Sequence, residues 1–278
     1  MSFLLITPTD GSPESRAHLQ ILVGGLALQE ERCELMLVAR GENSNPELPI
    51  PDNVTLRTVT APLAISLSRA RNLALTRARA VGLLDRCDAV AFPDDDCAYP
   101  PGTLTRAARH MGNGADMVCA VCGPTPGTID WQRFPAQPLE VDTSLIMRAQ
   151  NSGTMFFTTR LVAALGDFDE RFGLGARFGS AEDSDYMIRA LAVGARATYD
   201  PGLIVLHPYK RHRHEQYFAG NVAVLAKHAF GPSRTLVDLL KRLAVGLLLV
   251  ARRRLGANTY AAALGAAARM LPSAGQSG

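Results

Sequence analysis

Short apolar runs alternate with longer segments of helical period along the first half of the chain. This pattern predicts an α/β fold with a mostly parallel central sheet flanked by helices. Phe3-Leu4-Leu5-Ile6 reads as the first strand, stopped by Thr7-Pro8-Thr9-Asp10-Gly11. Ser12-Pro13-Glu14 offers an N-cap with proline at the first helical position, so a helix is expected from there to about Gln29. Glu34 to Ala39 and Val54 to Val59 read as the next two strands, and Ser66 to Val81 as an amphipathic helix bearing Arg69, Arg71, Arg77 and Arg79. A fourth strand, Ala89 to Phe92, runs directly into Pro93-Asp94-Asp95-Asp96. Pro100-Pro101-Gly102 opens another helix, and Met117 to Val121 reads as a fifth strand.

Beyond this point the pattern changes. Gly123 to Pro138 is proline-rich, holds the only tryptophan and reads as a long loop, a kind of segment that tends to be functional. Met155-Phe156-Phe157 predicts a strand, Glu182 to Ala192 a helix, and Leu203 to Leu206 a last strand ending at His207-Pro208. From about Gln216 the chain reads as helical, with a frayed end over Pro272 to Gly278. The expected division is an α/β domain over residues 1–215 and a helical extension over 216–278.

Composition narrows the class. A chain of 278 residues, 47% of them apolar, suffices for one large domain or one domain with an appendage. The net charge of +3 does not point to nucleic acid. The basic residues are uneven, however, with clusters at Lys210-Arg211-His212-Arg213-His214 and Arg252-Arg253-Arg254. The five cysteines and a start without a basic leader or small-residue cleavage site lead to an expectation of free thiols in a reducing cytoplasm. Cys119 and Cys122 have CxxC spacing, but no second cysteine or histidine pair completes a zinc site, so they read as buried strand thiols. The apolar stretch Leu243 to Ala251 is far shorter than the roughly 20 residues that span a bilayer.

Two acidic clusters carry the candidate chemistry. Asp94-Asp95-Asp96 follows an apolar strand, and open α/β sheets bind ligands outside the carboxyl ends of their strands. Adjacent carboxylates repel unless a cation relieves them, and a divalent metal bridging a diphosphate does so with the hard oxygen ligands that magnesium and manganese prefer. A solvated acidic turn that caps the next helix is the alternative. The second cluster, Gly179-Ser180-Ala181-Glu182-Asp183-Ser184-Asp185, opens a helix, where backbone amides and the dipole stabilise carboxylates. Asp183 is either a helix cap or a base that takes the proton from an attacking hydroxyl. His207, at the end of the last strand, is either structural or a metal ligand beside Asp96.

Four segments occur in an order that resembles the family 2 glycosyltransferases of the GT-A fold, especially bacterial enzymes of surface and exopolysaccharide assembly. They are Ser66-Leu-Ser-Arg-Ala-Arg-Asn72, Ala91-Phe-Pro-Asp-Asp-Asp-Cys-Ala-Tyr-Pro100, Asn151-Ser-Gly-Thr-Met-Phe-Phe157 and Gly179-Ser-Ala-Glu-Asp-Ser-Asp185. The resemblance runs from about Phe3 to Pro208 and implies a GT-A catalytic domain. By it, Asp94 faces the nucleoside, Asp96 ligates the metal, and Asp95 takes either role. Arg71 lies near the donor nucleotide, and Thr7, Pro8 and Thr9 match a loop bordering the base. Asn151, Ser152 and Gly153 match the stretch lining the sugar pocket, and His207 a late metal-binding histidine. Asp183 matches the catalytic base of a Glu-Asp motif whose glutamate, Glu182, joins the donor-binding set. Relatives carry an acid at the end of the second strand to hold the base. Here that strand ends Ala39-Arg40-Gly41-Glu42, with Glu42 the possible substitute.

The implied reaction is an inverting transfer from a nucleotide-diphosphate sugar, UDP being the commonest carrier in the family, to a hydroxyl of a glycan or lipid-linked acceptor. Its cofactor is a divalent cation, Mn2+ or Mg2+. The last helices, apolar with flanking arginines, suit either an anionic membrane surface or packing on the main domain. Three other readings compete, one of them a membrane-surface scaffold, which would rest on the basic tail alone and explain none of the acidic motifs. A sugar-phosphate nucleotidyltransferase normally shows a basic glycine-rich loop after the first strand, unlike Thr7 to Gly11. A non-catalytic nucleotide-sugar binding module has no need of Asp183.

Overall fold

The first four apolar runs of the chain lie side by side and mutually parallel in one sheet. The computed structural model describes residues 1–41, 47–208, 214–231 and 234–271. Strand β1 (Ser2–Thr9) leads through α1 (Pro13–Ala27), capped by Ser12, to β2 (Arg32–Arg40) and then β3 (Val54–Ala61). Helix α2 (Leu67–Ala80) is capped by Ser66, whose Oγ accepts from the Arg69 N–H. A single turn, α3 (Leu83–Arg86), precedes β4 (Ala89–Ala91), α4 (Thr103–Gly112) and β5 (Met117–Gly123). There follow β6 (Leu139–Glu140), α5 (Thr143–Ala149), β7 (Met155–Thr158), α6 (Thr159–Leu165), α7 (Glu182–Ala192) and β8 (Ala197–Leu206). The chain ends in α8 (His214–Lys227), α9 (Thr235–Ala251) and α10 (Ala257–Met270).

The eight strands form one sheet in the order β3-β2-β1-β4-β7-β5-β8-β6. β3, β2, β1 and β4 are mutually parallel, as are β5 and β8; β7 runs against both β4 and β5, and β6 against β8. Buried side chains fill both faces. Ile6, Val38, Phe92, Phe157 and Tyr186 belong to one layer, and Phe3, Leu5, Leu104, Phe156 and Leu203 to the other. All five cysteines are buried and free, Cys119 and Cys122 within β5 as expected.

Several elements depart from the sequence expectation. β1 continues through Thr9 because Thr7, Pro8 and Thr9 stay in register with Leu37, Val38 and Ala39 of β2. Pro8 is tolerated there because β4 reaches only Phe3–Leu5, leaving one side of β1 without a ladder at that level. β8 begins at Ala197, six residues before the expected start, and absorbs Asp200-Pro201-Gly202 as an irregularity: Cys119 pairs with Tyr199, but Val121 pairs with Ile204. The Asp200 carboxylate stabilises this bulge by accepting from the Gly202 N–H at 2.8 Å and pairing with Arg106 and His110. The proline-rich segment carries a 3-10 turn, Pro126–Thr128, before β6.

The C-terminal helices dock at two points. α9 meets α5 through Ser144 Oγ, 3.0 Å from both carboxylate oxygens of Asp238. At Gly246 a Cβ would collide with the rings of Phe218 on α8 and Tyr260 on α10, so the three helices approach closely there. Among the described residues no helix is long and apolar enough to cross a membrane. The basic cluster at 210–213, Glu42 and the last seven residues lie outside the described residues.

Candidate active site

The carboxyl ends of β1, β4, β5 and β8 converge on one edge of the sheet. The amino end of the reversed strand β7 reaches the same edge, since Ala91 of β4 lies opposite Phe156. Asp94, Asp96, Asn151, Ser152, Gly153 and His207 therefore meet in space, although they come from three separate parts of the chain.

The three consecutive aspartates take three different partners. Asp94 Oδ1 accepts from Arg71 Nη2 at 3.1 Å. Asp95 turns toward β1 and α1. Burial pushes its carboxyl up, and hydrogen bonds from Thr9 and Ser15 oppose the shift. Asp96 Oδ1 lies 3.3 Å from Nε2 of His207, whose ring is also 3.9 Å from Asp94 Oδ2.

Arg71 is wholly buried and is the pivot of the site. Its Nη1 donates to Glu182 Oε1 at 3.2 Å while Nη2 holds Asp94, and its guanidinium carbon sits 5.6 Å from the centre of the Phe168 ring. The arginine thus ties α2 to the end of β4 and to the start of α7. Asn72, next in sequence, exchanges two hydrogen bonds with the backbone of Phe168, its Nδ2 donating at 2.9 Å and its Oδ1 accepting at 2.7 Å. Ser68 Oγ donates to the Phe172 carbonyl. The Ser66–Asn72 motif therefore grips the loop that delivers α7.

That loop is shaped by backbone conformation. Gly173, Gly175 and Gly179 all have positive φ, and a Cβ on Gly173 would come within 2.7 Å of Ser68 Oγ. Ala181 adopts the left-handed region (φ 72°) without being glycine, an uncommon conformation placed directly before Glu182 and Asp183.

Asp183 is held by main-chain amides. Its Oδ2 accepts from the Ser152 N–H at 3.1 Å and its Oδ1 from the Ser184 N–H at 2.7 Å. Burial is the largest influence on its carboxyl and raises its pKa, against the pull of these amides and of Arg71. Burial and the neighbouring Asp183 push Glu182 up to about 7 despite Arg71. Asn151 caps the 3-10 turn Ser152–Thr154 through its Oδ1, which accepts from the Gly153 N–H, and its Nδ2 faces Cys122 Sγ at 3.4 Å. Thr7, Pro8 and Thr9 are buried within β1, and Thr9 hydrogen-bonds the Asp95 carboxylate.

Asp96 and His207 present a carboxylate oxygen and an imidazole nitrogen on one side of the cleft, with Asp94 adjacent. This mixed donor set fits a divalent cation such as manganese. Cys97 also lies in this group, all ligand atoms being within 4.8 Å of one another. Its thiol is buried among apolar side chains, and burial drives its pKa well above the ordinary value; magnesium and manganese in any case prefer oxygen ligands to a thiol. Sequence reasoning did not single out Cys97. Its proximity depends on the turn Asp94–Cys97 closed by the Cys97 N–H to the Asp94 carbonyl.

No family profile and no curated protein matches the chain. In structure it is similar to residues 1–349 of TarS from S. aureus in complex with UDP-GlcNAc, with a TM-score of 0.66 at 18% identity, covering 98% of this chain and 82% of that one. It is also similar to the mannosyltransferase PcManGT from Pyrobaculum calidifontis in complex with GDP-Man and Mn2+, with a TM-score of 0.59 at 17% identity over 96% and 75% of the two chains. Against a longer TarS structure the TM-score is 0.68 at 17% identity, and the match takes in 98% of this chain but 50% of that one. The fold is GT-A. In this GT-A chain the reversed strand β7 carries Ser152 to the end of β4, and α7 presents Asp183 across from it.

Proposed function

We propose that this chain is an inverting glycosyltransferase that moves a sugar from a nucleotide-diphosphate sugar to a hydroxyl of a glycan or lipid-linked acceptor. The observation that carries the reading is Asp183. It is a carboxylate with raised pKa, fixed by two amides and placed beside the cluster of Asp94, Asp96 and His207. A base of that kind suits proton removal from an attacking hydroxyl better than an ordinary aspartate does. The fold neighbours bound to UDP-GlcNAc and to GDP-Man support a nucleotide-sugar donor.

In this reading Asp96 and His207 hold a manganese or magnesium ion. When bound, the ion supplies positive charge that stabilises a departing diphosphate. Arg71 keeps Asp94 oriented toward the nucleoside and holds Glu182 beside it in the donor-binding set. Asn151, Ser152 and Gly153 form the floor of that pocket. Gly153 is required there because a Cβ would lie 2.7 Å from Cys97 Sγ. Asp183 takes the acceptor proton as the hydroxyl oxygen attacks the anomeric carbon, and the nucleoside diphosphate leaves from the opposite face.

The short turn after β1, Asp10-Gly11-Ser12, offers no basic phosphate cradle and disfavours a nucleotidyltransferase. A non-catalytic binding module leaves the amide-held Asp183 without a purpose. The test is Asp183→Asn, which preserves shape and removes the base. Transfer is expected to fall roughly 10²–10⁴-fold while the donor still binds by calorimetry. Undiminished turnover would exclude Asp183 from the reaction.

A further inference from the structure

Helix α9 buries one face and leaves the other bare. Thr235, Leu239 and Gly246 are buried toward α5, α8 and α10. Leu236, Leu240, Ala244, Leu247 and Ala251 recur at spacings of four and three residues, which places them on one exposed stripe, with Val237 and Leu248 beside it. Leu240 is 58% and Leu247 60% exposed, and Leu236, Val237 and Leu248 lie between 41% and 47%, so among the described residues no other element fully covers the stripe. Isolated exposed leucines need no explanation, but a stripe running the length of a 17-residue helix does.

Charge identifies the partner. After Asp238 the sequence contains no acidic side chain, while Lys241, Arg242, Arg252, Arg253, Arg254 and Arg269 carry six positive charges. The remaining 238 residues hold 23 of the 29 basic and all 26 acidic side chains, a net of −3, so the basic excess of the chain lies wholly in this tail. Lys241 and Arg252 flank the apolar stripe, and Arg252, Arg253 and Arg254 are all exposed at the end of α9. Asp238, the only acid on the helix, accepts from Ser144 Oγ and lies 4.0 Å from the exposed Lys241 Nζ, a surface pair that leaves the three arginines at the helix end without an acidic neighbour on α9. Two copies meeting through this face would bring like charges together, whereas an anionic bilayer matches both the apolar stripe and its basic border.

We infer that α9 lies flat in an anionic phospholipid surface, its leucine stripe entering the acyl boundary and its arginines on the headgroups. At about 25 Å the helix is suited to the plane of the interface, and α9 spans nothing. The attachment reaches the site through α5. The first turn of α5 binds α9 at Ser144, and its last residue, Ala149, leads into Asn151 and Ser152 about 10 Å further on. A membrane-bound α9 therefore sets the cleft close to the lipid surface. This inference concerns binding alone and holds whatever the reaction.

The test uses the full chain and sedimentation with vesicles. The protein is expected to pellet with vesicles of phosphatidylglycerol and phosphatidylcholine in equal parts, to stay in solution with phosphatidylcholine alone, and to be released by added salt. Replacing Arg252, Arg253 and Arg254 together by Gln is expected to lower the partition coefficient on the order of a hundredfold. Leu240→Asn with Leu247→Asn is expected to lower it as well, with an unchanged melting temperature because both side chains are exposed. Equal partition of both variants and the parent would overturn the inference. So would a dimer that the leucine replacements dissolve while neither form binds vesicles, which would assign the face to a second copy.

Discussion

Arg71 Nη1 lies 3.2 Å from Glu182 Oε1, joining residues 111 positions apart in a pocket closed to solvent. The pair fixes the first turn of α7 against α2. Yet the glutamate is held at a cost, because Asp183 and Asp94 add negative charge to a site with one buried cation.

That balance predicts a pH dependence of stability. Glu182 is raised from 4.5 to about 7 in the folded chain. Between those values the native state keeps a proton that the unfolded chain has released. The stabilisation is complete below pH 4.5 and is lost as pH rises through 7, by about 3 kcal/mol in all. Glu182→Gln is expected to remove this slope. Urea unfolding of both forms at pH 5 and pH 8 measures it, and parallel losses in the two proteins would refute the assignment.

Asp185 behaves in the opposite sense. It is fully buried and pairs with Lys227 at 2.6 Å, His228 at 2.8 Å and Arg189 at 3.1 Å. Burial raises its pKa, but the hydrogen bond to His228 and the charges of Lys227 and Arg189 outweigh it and hold the carboxyl below its ordinary range. Its contribution is therefore present above about pH 4 and disappears as pH falls. Asp185→Asn is expected to cost about 3–5 kcal/mol at neutral pH, because Lys227 and Arg189 lose their buried counter-charge. Denaturant titration at pH 7 and pH 3 should show the gap narrowing in acid.

Metal affinity is expected to depend on Asp96 and His207 together. Changing even an outer-sphere partner of a metal ligand weakens binding about 10–100-fold. Asp96→Ala or His207→Ala is expected to cost at least that much in manganese affinity, read from the free-ion resonance signal without any turnover. Cys97→Ser should leave affinity nearly unchanged, since magnesium and manganese prefer oxygen donors to sulfur. A large loss in Cys97→Ser would make the sulfur a ligand after all.

Elements set by local pattern were readable from the sequence. Ser12 and Ser66 mark their helices as caps, the apolar runs of β1, β2 and β5 stand out, and α7 begins and ends where its period does. The placement of Asp94–Asp96 at a strand end followed from the same reasoning. What escaped depends on distant partners. β8 passes through Pro201 and Gly202 only because Arg106 and His110 secure Asp200 from another element. The seven-residue helices α5 and α6 are too short to show a period. The different orientations of Asp94, Asp95 and Asp96 are set by Arg71, Thr9 and His207, none of which is adjacent in sequence. Asn72 is a further case: its two bonds to Phe168 span 96 positions.

The reversal of β7 gives Asp183 a tether made of main chain. A backbone N–H at position 152 is common to every amino acid except proline, so mutation can exchange the serine side chain widely without releasing the carboxylate. Sequence drift at that position is thus compatible with a constant grip, and only a proline would cut it.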